Sequence, residues 1–286
     1  MIDNQLLLNP KTRTAADAYI SQSPQAIMII GLPGSGKTAL ARAIASHALN
    51  SQDIQNHPYF LQIARPKGKK DIPIEDIRSL IHKLRLKTPG SGGVRRMVFI
   101  EDAQDLSTEA QNALLKALEE PSIDTAYMMS VTSNRSVLPT IASRTQVLTV
   151  LPVTLAEAKN FYSNKFSDKD IEAAWQLSQG RPGLMNALLN NADNHPLKLA
   201  VDSSKQLLRQ DKYHRLLELD RISKDKEQFN LLLDALSKVL AVLQRTSSAN
   251  RRLLNSRRLV AELQEALLAN TSPRLVALEL ALKLDI

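Results

Sequence analysis

The chain has 286 residues, of which 43% are hydrophobic and 23% charged, and its formal net charge is +8. These values are typical of a globular protein with two or three domains and exclude disordered and fibrous classes. The absence of cysteine excludes disulfides and thiolate zinc sites. The basic charge favours contact with a polyanion, but only 4% of the residues are aromatic, which argues against a protein that stacks single-stranded bases.

The first residues, MIDNQLLLNPKTRTAADAY, contain no basic segment followed by a long apolar one. We therefore expect a cytoplasmic protein without a secretion signal, and no apolar run reaches the roughly 20 residues of a membrane helix. The first half of the chain alternates helical segments with four apolar runs of strand length, at residues 25–30, 96–102, 126–133 and 145–150. Runs that are apolar nearly throughout are typical of strands covered on both faces, so we predict a three-layer α/β domain with a parallel sheet.

Residues 31–38 read GLPGSGKT and lie between the first predicted strand and a helical segment. This pattern, in this context, predicts a phosphate loop whose backbone N–H groups surround a β-phosphate. Lys37 would neutralise phosphate charge, and Thr38 would offer its hydroxyl to Mg²⁺. The loop alone does not separate ATP from GTP. The predicted nucleotide-binding residues are Gly31, Leu32, Pro33, Gly34, Ser35, Gly36, Lys37 and Thr38.

The second predicted strand ends in Glu101 and then Asp102, which reverses the usual order of an ATP-hydrolysing motor. Glu101 would take the Mg²⁺ side of the site, and Asp102 would stand at the catalytic position with a side chain one methylene shorter. A displacement of about 1 Å can lower a rate on the order of 100-fold, so we expect weak or absent ATPase activity. The alternative is that backbone adjustment lets the reversed order work equally well.

Turn and cap signals divide the chain between these strands. Residues 87–94, KTPGSGGV, predict a flexible loop. Residues 107–121, STEAQNALLKALEEP, predict a helix that Pro121 ends, with Thr108 and Gln111 fitting a capping box at its start.

After Pro152 the sequence shows only helical spacing. Residues 190–196, NNADNHP, are interpreted as a linker. Beyond it, four amphipathic helices are predicted within residues 197–210, 226–244, 250–270 and 272–284. They should form a bundle with an apolar interior.

The segment RMVFIEDAQDLSTEAQNALLKALEEPSIDTAYMMSVTSNRSVLPTIASRTQ, taken with the phosphate loop, resembles the clamp-loader branch of the AAA+ superfamily. It is most similar to the delta-prime family of bacterial DNA polymerase III. Residues 56–86 also resemble that family, and the resemblance extends over roughly residues 25–150. It implies an AAA+ domain over residues 1–152, a small helical lid over 153–194 and an all-α collar over 195–286.

The resemblance also implies partners and site residues. The partners are gamma/tau-like and delta-like subunits in a heteropentamer, with the sliding clamp and primed DNA contacted indirectly and no membrane. ATP or ADP with Mg²⁺ would be the cofactor. Arg144, in Ser143-Arg144-Thr145, matches the family's arginine finger, which acts in trans on a neighbour's nucleotide. Asn134 matches the end of the family's sensor 1 strand.

Besides the reversed acid pair, two features depart from the family pattern. Gly183 stands where sensor 2 has an arginine, and nearby Arg181 has no assigned role. The four-cysteine zinc module of many relatives is excluded, so no zinc is expected. Together with the reversed acids, these departures favour a stationary subunit that completes a neighbour's site. A catalytically active gamma/tau-type ATPase is the main alternative, and a phosphate-loop kinase has no use for the segment around Arg144.

Overall fold

The computed structural model describes residues 6–22, 24–66, 68–86, 88–89, 93–190, 195–246 and 251–285. The chain divides into two compact units, the first comprising Met1–Phe161 and Gly180–Gly183, and the second Tyr162–Gln179 and Leu184–Ile286. The predicted loop at 87–94 and the predicted linker at 190–196 lie in part outside the described residues. The division into AAA+, lid and collar domains stays a prediction.

The first unit contains a five-stranded sheet in the order β2-β3-β4-β1-β5, in which every neighbouring pair is parallel. Because the strands are parallel, all their carboxyl ends lie at one edge of the sheet, and the loops that follow them meet there. The strands are β1 (Ala26–Ile30), β2 (Phe60–Ile63), β3 (Arg96–Ile100), β4 (Thr125–Val131) and β5 (Gln146–Thr149).

Helices cover both faces of this sheet, which confirms the predicted three-layer α/β domain. Successive strand residues point to opposite faces. Ile27 and Phe99 belong to a core shared with the first two helices, whereas Met28 and Val98 belong to a core shared with the next three. The helices that begin within Met1–Phe161 are α1 (Pro10–Gln22), α2 (Lys37–Ala48), α3 (Ile74–Leu84), α4 (Thr108–Glu119), α5 (Pro139–Ala142) and α6 (Leu155–Tyr162).

Two local features differ from the sequence prediction. Strand β2 was not predicted, because it is a short edge strand in which only Phe60 is buried. The capping box of Thr108 was wrong, since Ser107 is the N-cap of α4 and its hydroxyl accepts from the Ala110 N–H at 3.1 Å. Gln111 instead donates to the Leu106 carbonyl and accepts from the Leu138 N–H, so it joins three segments.

The second unit is helical over its described residues. Phe229, Leu233 and Leu236 are fully buried in its largest apolar cluster. Helix α10 was missed, because Arg215 and Leu219 alone are buried along it and its pattern is mostly polar. None of the described helices is long and apolar enough to span a membrane. The remaining helices, of which α8 begins in the first unit, are α7 (Asp168–Ser178), α8 (Pro182–Leu189), α9 (Pro196–Arg209), α10 (Lys212–Ile222), α11 (Lys226–Thr246), α12 (Arg251–Leu268) and α13 (Pro273–Lys283).

Candidate functional site

The phosphate loop follows β1 at the carboxyl edge of the sheet and leads directly into α2. Gly36 precedes the helix with a φ of 91°, a left-handed conformation that glycine adopts without strain. The Gly31 N–H donates to the Val131 carbonyl at 3.1 Å, which ties the start of the loop to β4. Ser35 Oγ is buried and has no hydrogen-bond partner among the described residues. An unsatisfied hydroxyl inside the loop fits a ligand that brings acceptor oxygens, such as a phosphate.

Lys37 is held within its own loop. Its side chain is 8% exposed, its Nζ donates to the Gly31 carbonyl at 2.9 Å, and Nζ lies 3.7 Å from Asp102 Oδ1. Burial lowers the pKa of this ammonium, and the nearby carboxylates of Asp102 and Glu101 offset part of that effect. The ammonium has three N–H donors and uses one on the Gly31 carbonyl, so donors remain for phosphate oxygens.

Thr38 and Glu101, the predicted Mg²⁺ pair, lie together. The Thr38 hydroxyl donates to one oxygen of Glu101, and Gln62 Nε2 donates to the other at 2.8 Å. Hydroxyl and carboxylate oxygens are the donors that Mg²⁺ prefers, so these residues fit that ion. Sequence reasoning missed Gln62, which lies on the unpredicted strand β2. Among the described residues no group of three or more His, Cys, Asp or Glu side chains is placed to hold a metal.

Asp102 and Asn134 lie at the same edge of the sheet as the loop. Asp102 has a φ of 48°, and its N–H donates to Ser130 Oγ at 2.8 Å. This left-handed turn directs its carboxylate toward Lys37. Asn134 is exposed and begins a short 3-10 turn just after β4, the strand that pairs with β1. The structure therefore brings both predicted residues near the loop, and one of them is engaged by its lysine.

The segment Gly180–Gly183 packs against the phosphate loop. Arg181 is 4% exposed, and its Nη1 donates to the Pro33 carbonyl at 3.0 Å. A Cβ atom on Gly183 would lie 2.9 Å from the Gly34 carbonyl oxygen, which is closer than real Cβ contacts. An arginine, as in the family's sensor 2, therefore does not fit at this position unless the loop moves. Arg181 binds the loop backbone from an adjacent position.

Arg144 lies at the opposite edge of the sheet from the loop. It follows α5 and precedes β5, whose first residue Gln146 pairs with Ile27 near the start of β1. The four residues from Ile27 to Gly31 span about 13 Å at the rise of a strand. The structure therefore separates Arg144 from Lys37. A cavity of about 300 Å³ adjoins the arginine and is lined by Pro24, Gln25, Ala26, Leu118, Pro121, Tyr127, Ser143, Arg144, Thr145 and Gln146.

Comparison with known proteins agrees with this geometry. Residues 13–154 match the family described as DNA polymerase III, delta subunit. The delta' subunit of DNA polymerase III from Escherichia coli is 29% identical over 194 residues, which are 62% of this chain and 58% of that protein. The delta' subunit from Pseudomonas aeruginosa is 29% identical over 210 residues, 66% of this chain and 63% of that protein.

Similarity in fold covers more of the chain than similarity in sequence. A DNA polymerase III gamma subunit-related protein from Thermotoga maritima superposes with a TM-score of 0.59 and 18% identity, over 95% of this chain and 97% of that one. The sequence matches to the two delta' subunits span about three fifths of their lengths, at 58% and 63%. The family match and the relatives support a delta-prime clamp-loader-like protein.

Proposed function

We propose that the chain is a stationary subunit of a bacterial DNA polymerase III clamp loader, in which Arg144 completes the nucleotide site of a neighbouring subunit during sliding-clamp loading. The observation that carries this proposal is the position of Arg144, one strand length away from the chain's own phosphate loop. From there its guanidinium is too far to act on a nucleotide held by Lys37. It is exposed on the surface, where a nucleotide held by another subunit can meet it.

A guanidinium offered across a subunit interface stabilises charge on the phosphoryl group being transferred. Its planar set of N–H donors matches phosphate oxygens, and such a finger contributes on the order of 10³–10⁵ to the rate. The partners that follow are gamma/tau-like and delta-like subunits in a heteropentamer, with the sliding clamp and primed DNA contacted indirectly.

The chain's own loop would hold ATP or ADP with Mg²⁺. The loop N–H groups and Lys37 would bind the phosphates, and Thr38 and Glu101 would hold the ion. A bound Mg²⁺ would neutralise phosphate charge and polarise its oxygens. This fit supports nucleotide binding.

Two contacts support weak hydrolysis by the chain itself. Asp102, the residue at the catalytic position, lies within ion-pair distance of Lys37 instead of standing free to hold a water. Both carboxylate oxygens of Glu101 already accept hydrogen bonds, from Thr38 and Gln62. A general base has to lie within hydrogen-bond reach of the proton it removes, and in this arrangement both carboxylates are engaged by neighbouring side chains.

Reconstitution with the partner subunits tests the proposal. Arg144→Ala should lower turnover at the neighbouring site on the order of 10³-fold, seen as a sharp drop in the ATPase of the assembly. Lys37→Ala removes the charge from the chain's own loop and should change that ATPase little. The reverse ranking of these two variants would contradict the proposal.

A second candidate function is an active gamma/tau-type ATPase. The completely formed loop and the contact between Thr38 and Glu101 favour it. It predicts rapid ATP turnover by the isolated chain or by its homo-oligomers, whereas the stationary subunit predicts almost none. Analysis of the nucleotide carried by the purified protein shows in addition whether the loop is filled.

A further inference from the structure

The guanidinium of Arg144 is fixed by acceptors on two different helices, and its Nη1 also donates to Ser143 Oγ at 3.5 Å. Its Nη1 donates to the Thr140 carbonyl of α5 at 2.9 Å, and its Nη2 donates to Glu119 Oε1, at the last residue of α4, at 2.8 Å. Leu118, which precedes Glu119, and Ile141, which follows Thr140, are buried in the same apolar core. The Thr140 and Glu119 acceptors therefore lie on helices that pack against a common core.

The ion pair between Arg144 and Glu119 contributes little to the stability of the fold. The arginine side chain is 36% exposed and the glutamate 48% exposed, and ion pairs in such positions are screened by water. Its effect falls instead on the arginine, whose long side chain otherwise samples many rotamers. Arginine has five N–H donors, so its three hydrogen bonds within the chain leave others for a phosphate.

We propose that Glu119 is a positioning residue for Arg144, which limits the arginine to conformations that face the neighbouring subunit before the two subunits meet. This inference rests on the proposed function. Glu119 does not withhold the arginine from a phosphate, because a screened surface pair is weaker than a charge-assisted contact between a guanidinium and a phosphate in a water-poor interface. The arginine can thus keep Thr140 and Glu119 as supports while its remaining donors bind the phosphate.

The test measures ATP turnover by the reconstituted assembly with variants of this chain. The relevant rate is the part of kcat that depends on Arg144, obtained by subtracting the rate with Arg144→Ala from the rate with wild type. Glu119→Ala should lower that part about three- to fivefold, the size of effect expected from one exposed ion pair, with KM for ATP unchanged. Glu119→Gln keeps an oxygen that can accept from Nη2 and should restore most of the rate.

Glu120→Ala is the matched control. Glu120 is the next residue, it is exposed, and its carboxylate makes no hydrogen bond or ion pair within the described part of the chain. The substitution Glu120→Ala removes the same charge from the same surface as Glu119→Ala and should leave kcat unchanged. The double variant Glu119→Ala with Arg144→Ala should be no slower than Arg144→Ala, because Glu119 acts only through the arginine.

The outcomes separate this inference from the proposed function. If Arg144→Ala does not slow the assembly, the proposed function fails and Glu119 has no finger to position. If Arg144→Ala slows it but Glu119→Ala is silent or faster, the inference alone is overturned. An equal loss with Glu120→Ala overturns it as well, since the effect is then one of general surface charge.

Discussion

Gly183 packs closely against the backbone of the phosphate loop, and Gly183→Ala tests the importance of this contact. The added Cβ would lie 2.9 Å from the Gly34 carbonyl oxygen, 3.3 Å from its carbon and 3.4 Å from the Gly36 nitrogen. All three neighbours are backbone atoms, so no side chain can rotate away. We expect the loop and the start of α8 to move apart.

Two opposing effects set the size of the change. Gly183 is the second residue of α8, and alanine gains about 0.5–1 kcal/mol over glycine in a helix. Forcing an extra methyl into a packed site costs about 1–3 kcal/mol. The contact therefore dominates, and we expect a net loss of about 1 kcal/mol, or about 2–4 °C in Tm for a unit of this size.

Thermal unfolding and amide hydrogen exchange of residues 31–38 measure the result. Gly183→Ala should lower Tm and speed exchange in the loop. Gly68→Ala is the control, because Gly68 has a φ of +79° and nothing within 4 Å of the added Cβ, so it adds backbone strain without a contact. It should lower Tm and leave exchange in the loop unchanged. Wild-type Tm and wild-type exchange in Gly183→Ala would refute the reasoning.

Two further predictions concern buried charges. Lys37→Met should raise Tm at pH 7, because the buried ammonium has a lowered pKa and its charged form is disfavoured in the fold. In wild type this penalty fades as the pH rises through the lowered pKa toward 10.5. A lower Tm for the variant at pH 7 would contradict the prediction. Asp124→Asn should lose about 1–3 kcal/mol in urea unfolding at pH 7, because hydrogen bonds from Ser122 and Thr88 hold the Asp124 pKa well below its ordinary 3.8. That stability is fully present above pH 3.8 and is lost as the pH falls through the folded pKa. The free energy of unfolding of the variant should therefore fall less at acid pH than that of wild type. An unchanged acid dependence would contradict the stabilising role of the Asp124 carboxylate.

The sheet was largely predictable because its strands are covered on both faces. Continuous apolar runs such as residues 96–100 have few other stable arrangements in a chain of this composition. The edge strand β2 and helix α10 escaped because each buries few of its residues and carries a polar pattern. Burial against neighbours, rather than local preference, fixes both elements.

The site was predictable where its residues are neighbours in sequence or where a motif states their chemistry. The pairing of Thr38 with Glu101 followed from the loop and from the strand end. The contacts of Gln62 with Glu101, across 39 residues, and of Arg181 with Pro33, across 148, depend on how the chain folds back. The sequence contains no spacing signal for such long-range contacts.

Because the phosphate loop and Arg144 lie at opposite edges of the sheet, the two edges carry different groups. Under the proposed function, one edge receives a nucleotide and the other reaches toward a neighbour's nucleotide, so association through them joins unlike surfaces on successive subunits. Contacts of this kind repeat head to tail and either close into a ring or leave two inequivalent ends. A chain that hydrolyses nucleotide slowly at its own site can occupy the end of such a series without interrupting the sites that precede it.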